Sequence, residues 1–207
     1  MRRVIGVRPG QGLDLTGPVV HAINHGDIEG GGMLGGITFT ADEVPGNEIK
    51  HAVRYGWKGV PDQPDFGGEL DNRRLARLFH AIRYSHREAA MSITLPGLTP
   101  GKRYTLQLLF GQGPKIESEI SCNRVFDVRV NDTLVADDFS PTIAQGGYPF
   151  HNACSVLVHI FTATEPTVNI KLGGSPIADQ TAEPTAVISA TILKEAGVGK
   201  APRADRY

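Results

Sequence analysis

The segment Arg124-Val-Phe-Asp-Val-Arg-Val-Asn-Asp-Thr-Leu-Val-Ala-Asp-Asp-Phe139 constrains the fold more than any other part of the chain. Phe126, Val128 and Val130 alternate with Asp127 and Arg129, the period of two expected of a half-buried strand. Asn131-Asp132 follows, and both residue types tolerate positive φ, so the pair supplies the tight turn of a hairpin. Further runs of this kind occupy Val19–Asn24, Gly35–Thr40, Ala81–Ser85, Ala90–Leu95, Tyr104–Phe110, Ala153–Thr162, Thr167–Leu172 and Ala186–Leu193. Helical spacing is convincing only from Asn72 to His80, where Leu75, Leu78 and Phe79 share a face and Asn72 can cap the start. Strands at this spacing, with no interleaved βα units, predict an all-β, two-sheet antiparallel sandwich with one short helix near 72–80.

Composition bounds what such a fold can do. The chain has 207 residues, a length that sandwiches often reach as one domain. Gly 25 and Pro 14 fit many turns between short strands. Net charge is −1 and no basic block occurs, so a nucleic-acid partner is not expected. No apolar run reaches the roughly 18 residues of a membrane helix. At the start, Arg8 and Pro9 cut the apolar stretch to Val4–Val7, too short for a secretion signal. The expected organisation is an extension over 1–18, a sandwich over 19–195 and a polar tail over 196–207. Cys122 and Cys154 fit no zinc spacing, and either a disulfide or two buried thiols is compatible with their placement.

With the strands placed, the chain resembles the malectin-like carbohydrate-binding domains, part of the galactose-binding-like jelly rolls. Four segments carry the likeness in order. They are Val20-His-Ala-Ile-Asn-His-Gly26 with Gly36-Ile-Thr-Phe39; Ala81-Ile-Arg-Tyr84; Gly101-Lys-Arg-Tyr-Thr-Leu-Gln-Leu-Leu-Phe110; and Arg124-Val-Phe-Asp-Val-Arg-Val-Asn131 with Leu134-Val135. The resemblance implies a jelly-roll β-sandwich that holds glucose-type oligosaccharides between loops at one end. It also implies that Tyr55-Gly56 and Tyr84 correspond to the family's first and second binding tyrosines. Two departures stand out. The loop after Tyr104–Phe110 reads Gly113-Pro114-Lys115 where the family has an aromatic pair, and Asp179 and Glu183 fit the family's late acidic residue only loosely.

A sugar ring offers an apolar C–H face and a hydroxyl rim, so its binder needs flat aromatics beside hydrogen-bonding groups. Tyr55, Trp57 and Phe66 lie on a long connection, with Arg54, Lys58, Asp62 and Asp65 as a polar rim. The same aromatics could instead pin that loop to the sandwich as a satellite core. Strand alternation turns Arg83 outward if Ile82 faces in, with Tyr84 inward or at the sheet end. The expected ligand contacts are therefore Tyr55, Trp57, Asp65, Arg83 and Tyr84. Tyr148-Pro-Phe-His151 reads as strand-entry packing.

Catalysis finds little support. Asp137 and Asp138, as neighbours in a strand, should face opposite sides of the sheet and so could not flank one glycosidic bond. No nucleophile elbow, zinc-peptidase motif or phosphate loop occurs. Nothing in the spacing of His21, His25 and His51 brings them together. No cofactor is expected, although Asp27 and Glu29 beside glycines could offer oxygens to a structural calcium ion. The expectation is a non-catalytic module that binds an oligosaccharide or polysaccharide outside the cell or at its surface. The alternative is a structural subunit of a filament, coat or array, joined to its own copies or to a larger parent protein. In that case Ile5–Pro9 could add a strand to a neighbour's open edge.

Overall fold

The computed structural model describes residues 1–6, 8–27, 32–43, 46–56, 65–85, 90–111, 124–146, 154–173 and 185–196, the side chains of 55 and 56 excepted. In chain order the elements are β1 (Arg2–Val4), β2 (Val19–Asn24), β3 (Gly32–Leu34), β4 (Ile37–Ala41), β5 (Glu48–Lys50), β6 (Ala52–Gly56), α1 (Leu70–Arg77), β7 (Ala81–Ser85), β8 (Met91–Pro96), β9 (Arg103–Phe110), β10 (Phe126–Val130), β11 (Thr133–Phe139), α2 (Pro141–Gln145), β12 (Cys154–Thr162), β13 (Thr167–Leu172), β14 (Val187–Ile188) and β15 (Ala190–Glu195). They form a seven-stranded sheet, β1-β12-β9-β15-β2-β4-β3, a five-stranded sheet, β11-β10-β13-β8-β5, and a three-stranded sheet, β14-β7-β6.

Alternation decides which face each strand buries. Met91, Ile93 and Leu95 of β8, Val168, Ile170 and Leu172 of β13, and Phe126, Val128 and Val130 of β10 point inward from the five-stranded sheet. They meet Tyr104, Leu106, Leu108 and Phe110 of β9 in one continuous core. Phe110, Phe126 and Phe139 pack there as tilted and edge-on rings, with centroids 4.8–5.9 Å apart. Strand β9 is buried on both faces. Its outward Leu109 joins a second core with Val4, Leu13, Phe66, Leu75, Leu78 and Phe79, supplied by the N-terminal segment and by α1 with its flanks. The helix ends at Arg77, short of the expected His80, yet Leu75 within it and Leu78 and Phe79 just after it, the three residues that helical spacing grouped, all enter this second core.

Several local features differ from the sequence reading, each for a physical reason. The N-terminal residues are not a loose extension. Strand β1 pairs with β12 at Cys154–Val156, and the buried Gln107 clamps the backbone of Asp14, accepting from its N–H at 2.9 Å and donating to its carbonyl at 2.7 Å. Lys194 adds a bond to the Thr16 carbonyl and an ion pair with Asp14. Helix α1 starts at Leu70 after Glu69, and Asn72 lies inside it, its amide donating to the Phe66 carbonyl at 2.8 Å. Strands β2 and β4 pair in parallel, at Ile23–Thr40 and Asn24–Ala41, whereas the named strands otherwise pair antiparallel. The run Ala186–Leu193 breaks at Ser189 and passes from the three-stranded sheet to the seven-stranded one.

The hairpin β10–β11 has the expected turn, with φ of 47° at Asn131 and 65° at Asp132. Its second strand is irregular. The register shifts between Phe126 and Val128, and Asp138 sits at φ 45°. A bulge defeats strict alternation, so Asp137 and Asp138 do not diverge as expected. Oxygens of Asp127, Asp137 and Asp138 all lie within 4.8 Å of one another. Cys154 carries a free, buried thiol, which burial pushes to a high pKa; Cys122 lies outside the described residues. Replacing Phe126 by Ala should lower stability by about 3–5 kcal/mol, because the cavity forms inside a packed aromatic trio. The same change at the exposed Ile143 should stay within about 0.5 kcal/mol. Urea midpoints at unchanged slope would check both.

Candidate functional site

The three-stranded sheet carries the tyrosines singled out above. Its register pairs Val53 with Tyr84, Arg54 with Arg83 and Tyr55 with Ile82. Positions 55 and 84 are thus diagonal neighbours on one face of the ladder. Ile82 and Tyr84 pack against the main core from that face. At the Tyr84 end, Ser85 N–H donates to the Ala186 carbonyl at 2.9 Å, and the Arg124 guanidinium reaches the Thr185 carbonyl at 3.2 Å.

The opposite face of the ladder is held by a buried polar centre that the sequence reading did not foresee. Asp42 follows β4 and has a fully buried side chain. Arg83 donates to both of its oxygens, from Nε at 2.6 Å and from Nη2 at 3.0 Å, the two-pronged geometry that suits a guanidinium and a carboxylate. Arg83 also reaches Glu43 at 3.0 Å, and Arg54 bridges to Glu43 at 2.5 Å and to Asp42 at 3.6 Å. The N–H of Gly26 donates to Asp42 at 3.1 Å, and His25 lies 3.5 Å away through Nδ1. The other ring nitrogen of His25 contacts the Thr191 hydroxyl of β15 at 2.9 Å. Gly26 is required here: its φ is 82°, and a Cβ would sit 2.3 Å from the Ile82 carbonyl oxygen.

Electrostatics follows from this geometry. Burial pushes the Asp42 carboxyl up, but His25, Arg83 and the Gly26 amide together outweigh it and hold the group well below the usual carboxylate range. Burial dominates at His25 and lowers its pKa despite the nearby carboxylate. Burial opposes the charge on Arg83, yet Asp42 and Glu43 more than compensate and raise its pKa.

The expected contact residues separate in the structure. Arg83 does not face solvent; it is buried and committed to Asp42 and Glu43. Tyr84 is half-buried beside it. Tyr55 occupies β6, and Trp57 lies outside the described residues. Asp65 is exposed and accepts from the Gly67 N–H at 2.7 Å. Phe66 takes the satellite-core role, buried with its ring 5.9 Å from that of Phe79. His21 contacts the Pro96 carbonyl at 2.7 Å, His25 is enclosed and His51 is exposed, so the three do not share a site. Asp27 accepts from the Asn24 amide at 3.3 Å, while Glu29, Lys58, Asp62, Gly113–Lys115, Tyr148–His151, Asp179 and Glu183 lie outside the described residues. A separate cleft of about 410 Å³ opens where β2 and β4 splay apart, lined by Val19, Val20, His21, Ile37, Thr38 and Thr40 among others.

The polar centre makes two measurable predictions. Asp42→Asn leaves the buried Arg83 with only the exposed Glu43 as counter-charge and should cost about 3–5 kcal/mol in a urea titration. Acid should weaken the fold in two stages. The unfolded state takes up a proton at His25 below its ordinary value of about 6.5, whereas the folded state resists, so stability falls as pH drops through that value. Asp42 has a depressed folded pKa, so its contribution is full above about 4 and is lost as pH falls from there towards the folded value. His25→Gln should shrink the first stage without abolishing it, since His80 and His159 are also lowered by burial.

Comparison with known proteins agrees with this architecture. The ANXUR2 extracellular domain of Arabidopsis thaliana superposes with a TM-score of 0.64 at 11% identity, covering 84% of this chain and 48% of that one. The ANXUR1 extracellular domain of the same plant gives 0.64 at 13%, covering 92% and 52%. A plant complex of the peptide RALF23 with FER and LLG2 gives 0.59 at 12%, covering 92% and 43%. The chain thus spans about half the length of these solved structures. A search of curated proteins finds no match. The sequence profile of the malectin domain matches residues 19–184, and the chain belongs to the malectin domain family.

Proposed function

We propose that this domain is a non-catalytic module that binds a glycan outside the cell, through the end of the sandwich that carries Tyr55 and Tyr84. The observation that carries this reading is the β6–β7 register, which makes positions 55 and 84 diagonal neighbours beside the buried Asp42–Arg83 pair. Such an anchor keeps the ladder from shifting when a ligand binds, and a preorganised platform loses less entropy on association. Tyr55, Trp57 and Tyr84 would stack on sugar faces, and Asp65 would serve the hydroxyl rim. Arg83 supports the site by holding the strand in place. The extracellular placement is supported by the likeness to the ANXUR1 and ANXUR2 extracellular domains.

A second reading is recognition of an extended peptide. The cleft between β2 and β4 favours it, because two strands that part leave neighbouring backbone edges and apolar Val and Ile side chains beside one groove. Glycan-array screening followed by calorimetry tests the first reading. The expected outcome is binding to at least one glucan that Tyr55→Ala, Trp57→Ala and Tyr84→Ala each weaken about tenfold, the loss of one aromatic contact of about 1.4 kcal/mol. Absence of glycan binding by the folded protein would sink the reading. Thr38→Arg, which crowds the cleft, should leave glycan affinity unchanged and would weaken a peptide ligand.

A further inference from the structure

Of the chain's seven asparagines, only Asn131 begins an Asn-x-Ser/Thr triplet: Asn131-Asp132-Thr133, with no proline between. That triplet is the acceptor signal for N-linked glycosylation. It falls at the tip of the β10–β11 hairpin, and all three residues are exposed. The asparagine's own bonds are arranged in a particular way. Its Oδ1 accepts from the Asn169 N–H at 2.9 Å, and its backbone N–H donates to the Asn169 carbonyl at 2.8 Å. Its Nδ2 has no partner among the described residues. The side-chain amide is thus oriented by its oxygen, and its nitrogen is the free atom. Asp132, the middle residue, is occupied by Lys171 at 2.6 Å and does not compete for that nitrogen.

We propose that Asn131 is the acceptor of an N-linked glycan; the proposal rests on the extracellular reading above. The donor is a lipid-linked oligosaccharide pyrophosphate. A bond forms between Nδ2 and the sugar's C1, and the C1–oxygen bond to pyrophosphate breaks. The lipid pyrophosphate leaves with that electron pair, and Nδ2 gives up one proton. No oxidation or reduction occurs. The product is still an amide, so Oδ1 keeps its bond to Asn169 and the hairpin loses nothing in the folded state. The glycan would also stand clear of the proposed ligand site. Arg124 contacts Thr185 at the Tyr84 end of the fold, and the seven residues from there to Asn131 span roughly 20 Å of extended chain.

The test expresses the full chain behind a cleavable secretion leader in a eukaryotic host. Intact mass is then compared before and after peptide-N-glycosidase treatment. One glycan is expected on the wild type and on Thr133→Ser, and none on Asn131→Gln or Thr133→Ala. Unfolding midpoints and glucan affinity should be the same before and after removal of the glycan. Secreted, folded wild-type protein with an unmodified Asn131 would overturn the proposal. A glycan that abolished glucan binding would overturn its placement away from the site. Surface labelling of the protein in its own cells checks location separately, so an intracellular result fails the extracellular reading and the proposal with it. An unmodified Asn131 on a surface-labelled protein fails the proposal alone.

Discussion

A carboxylate with no solvent exposure must find its counter-charge and its hydrogen bonds within the protein, and Asp42 draws them from three directions. The β2 corner supplies Gly26 and His25, β7 supplies Arg83, β6 supplies Arg54, and His25 in turn rests on Thr191 of β15. Removing two charges from water costs several kcal/mol per ion unless the pairing is close to ideal. An apolar interface tolerates small slides between layers, whereas this one does not. The three-stranded sheet is therefore tied to the end of β4 in the seven-stranded sheet through Arg83 and Arg54 on Asp42.

The layering outside this centre is conventional in its physics and unusual in its depth. One sheet of a sandwich commonly faces solvent on its outer side. Here the central strand β9 is covered on both faces, with apolar or satisfied polar side chains along nearly all of its length. Gln107 is the test of that statement. It is fully buried on the outer face, yet each half of its amide meets the backbone of Asp14, so no polar atom is stranded. The N-terminal segment and α1 thereby become a third layer of the molecule.

Much of this was legible from residue order. The Asn131-Asp132 turn, the inward Phe126, Val128 and Val130, and the apolar face of α1 follow from local chemistry, which acts over a few residues and leaves a period in the chain. The polar centre was not legible, because Asp42 and Arg83 stand 41 positions apart and neither breaks the local pattern in a distinctive way. Only His25-Gly26 hinted at it, through a glycine that must approach another strand. Alternation misplaces Arg83 because it distinguishes two faces without telling which is wet. The convergence of Asp127, Asp137 and Asp138 escaped notice for a related reason: counting by twos presumes a regular strand, and one bulge reverses the count.

The short β1 strand has a consequence for what counts as the domain. The family profile begins at residue 19, but the physical unit reaches back to Arg2. Cutting at that profile boundary would uncover the outer edge of β12, empty the places of Val4 and Leu13 in the second core, and leave Gln107 and Lys194 without their backbone partners. A bare sheet edge beside exposed apolar surface is an invitation to self-association. A piece trimmed to homology would thus differ from the longer unit in self-association before it differed in anything else.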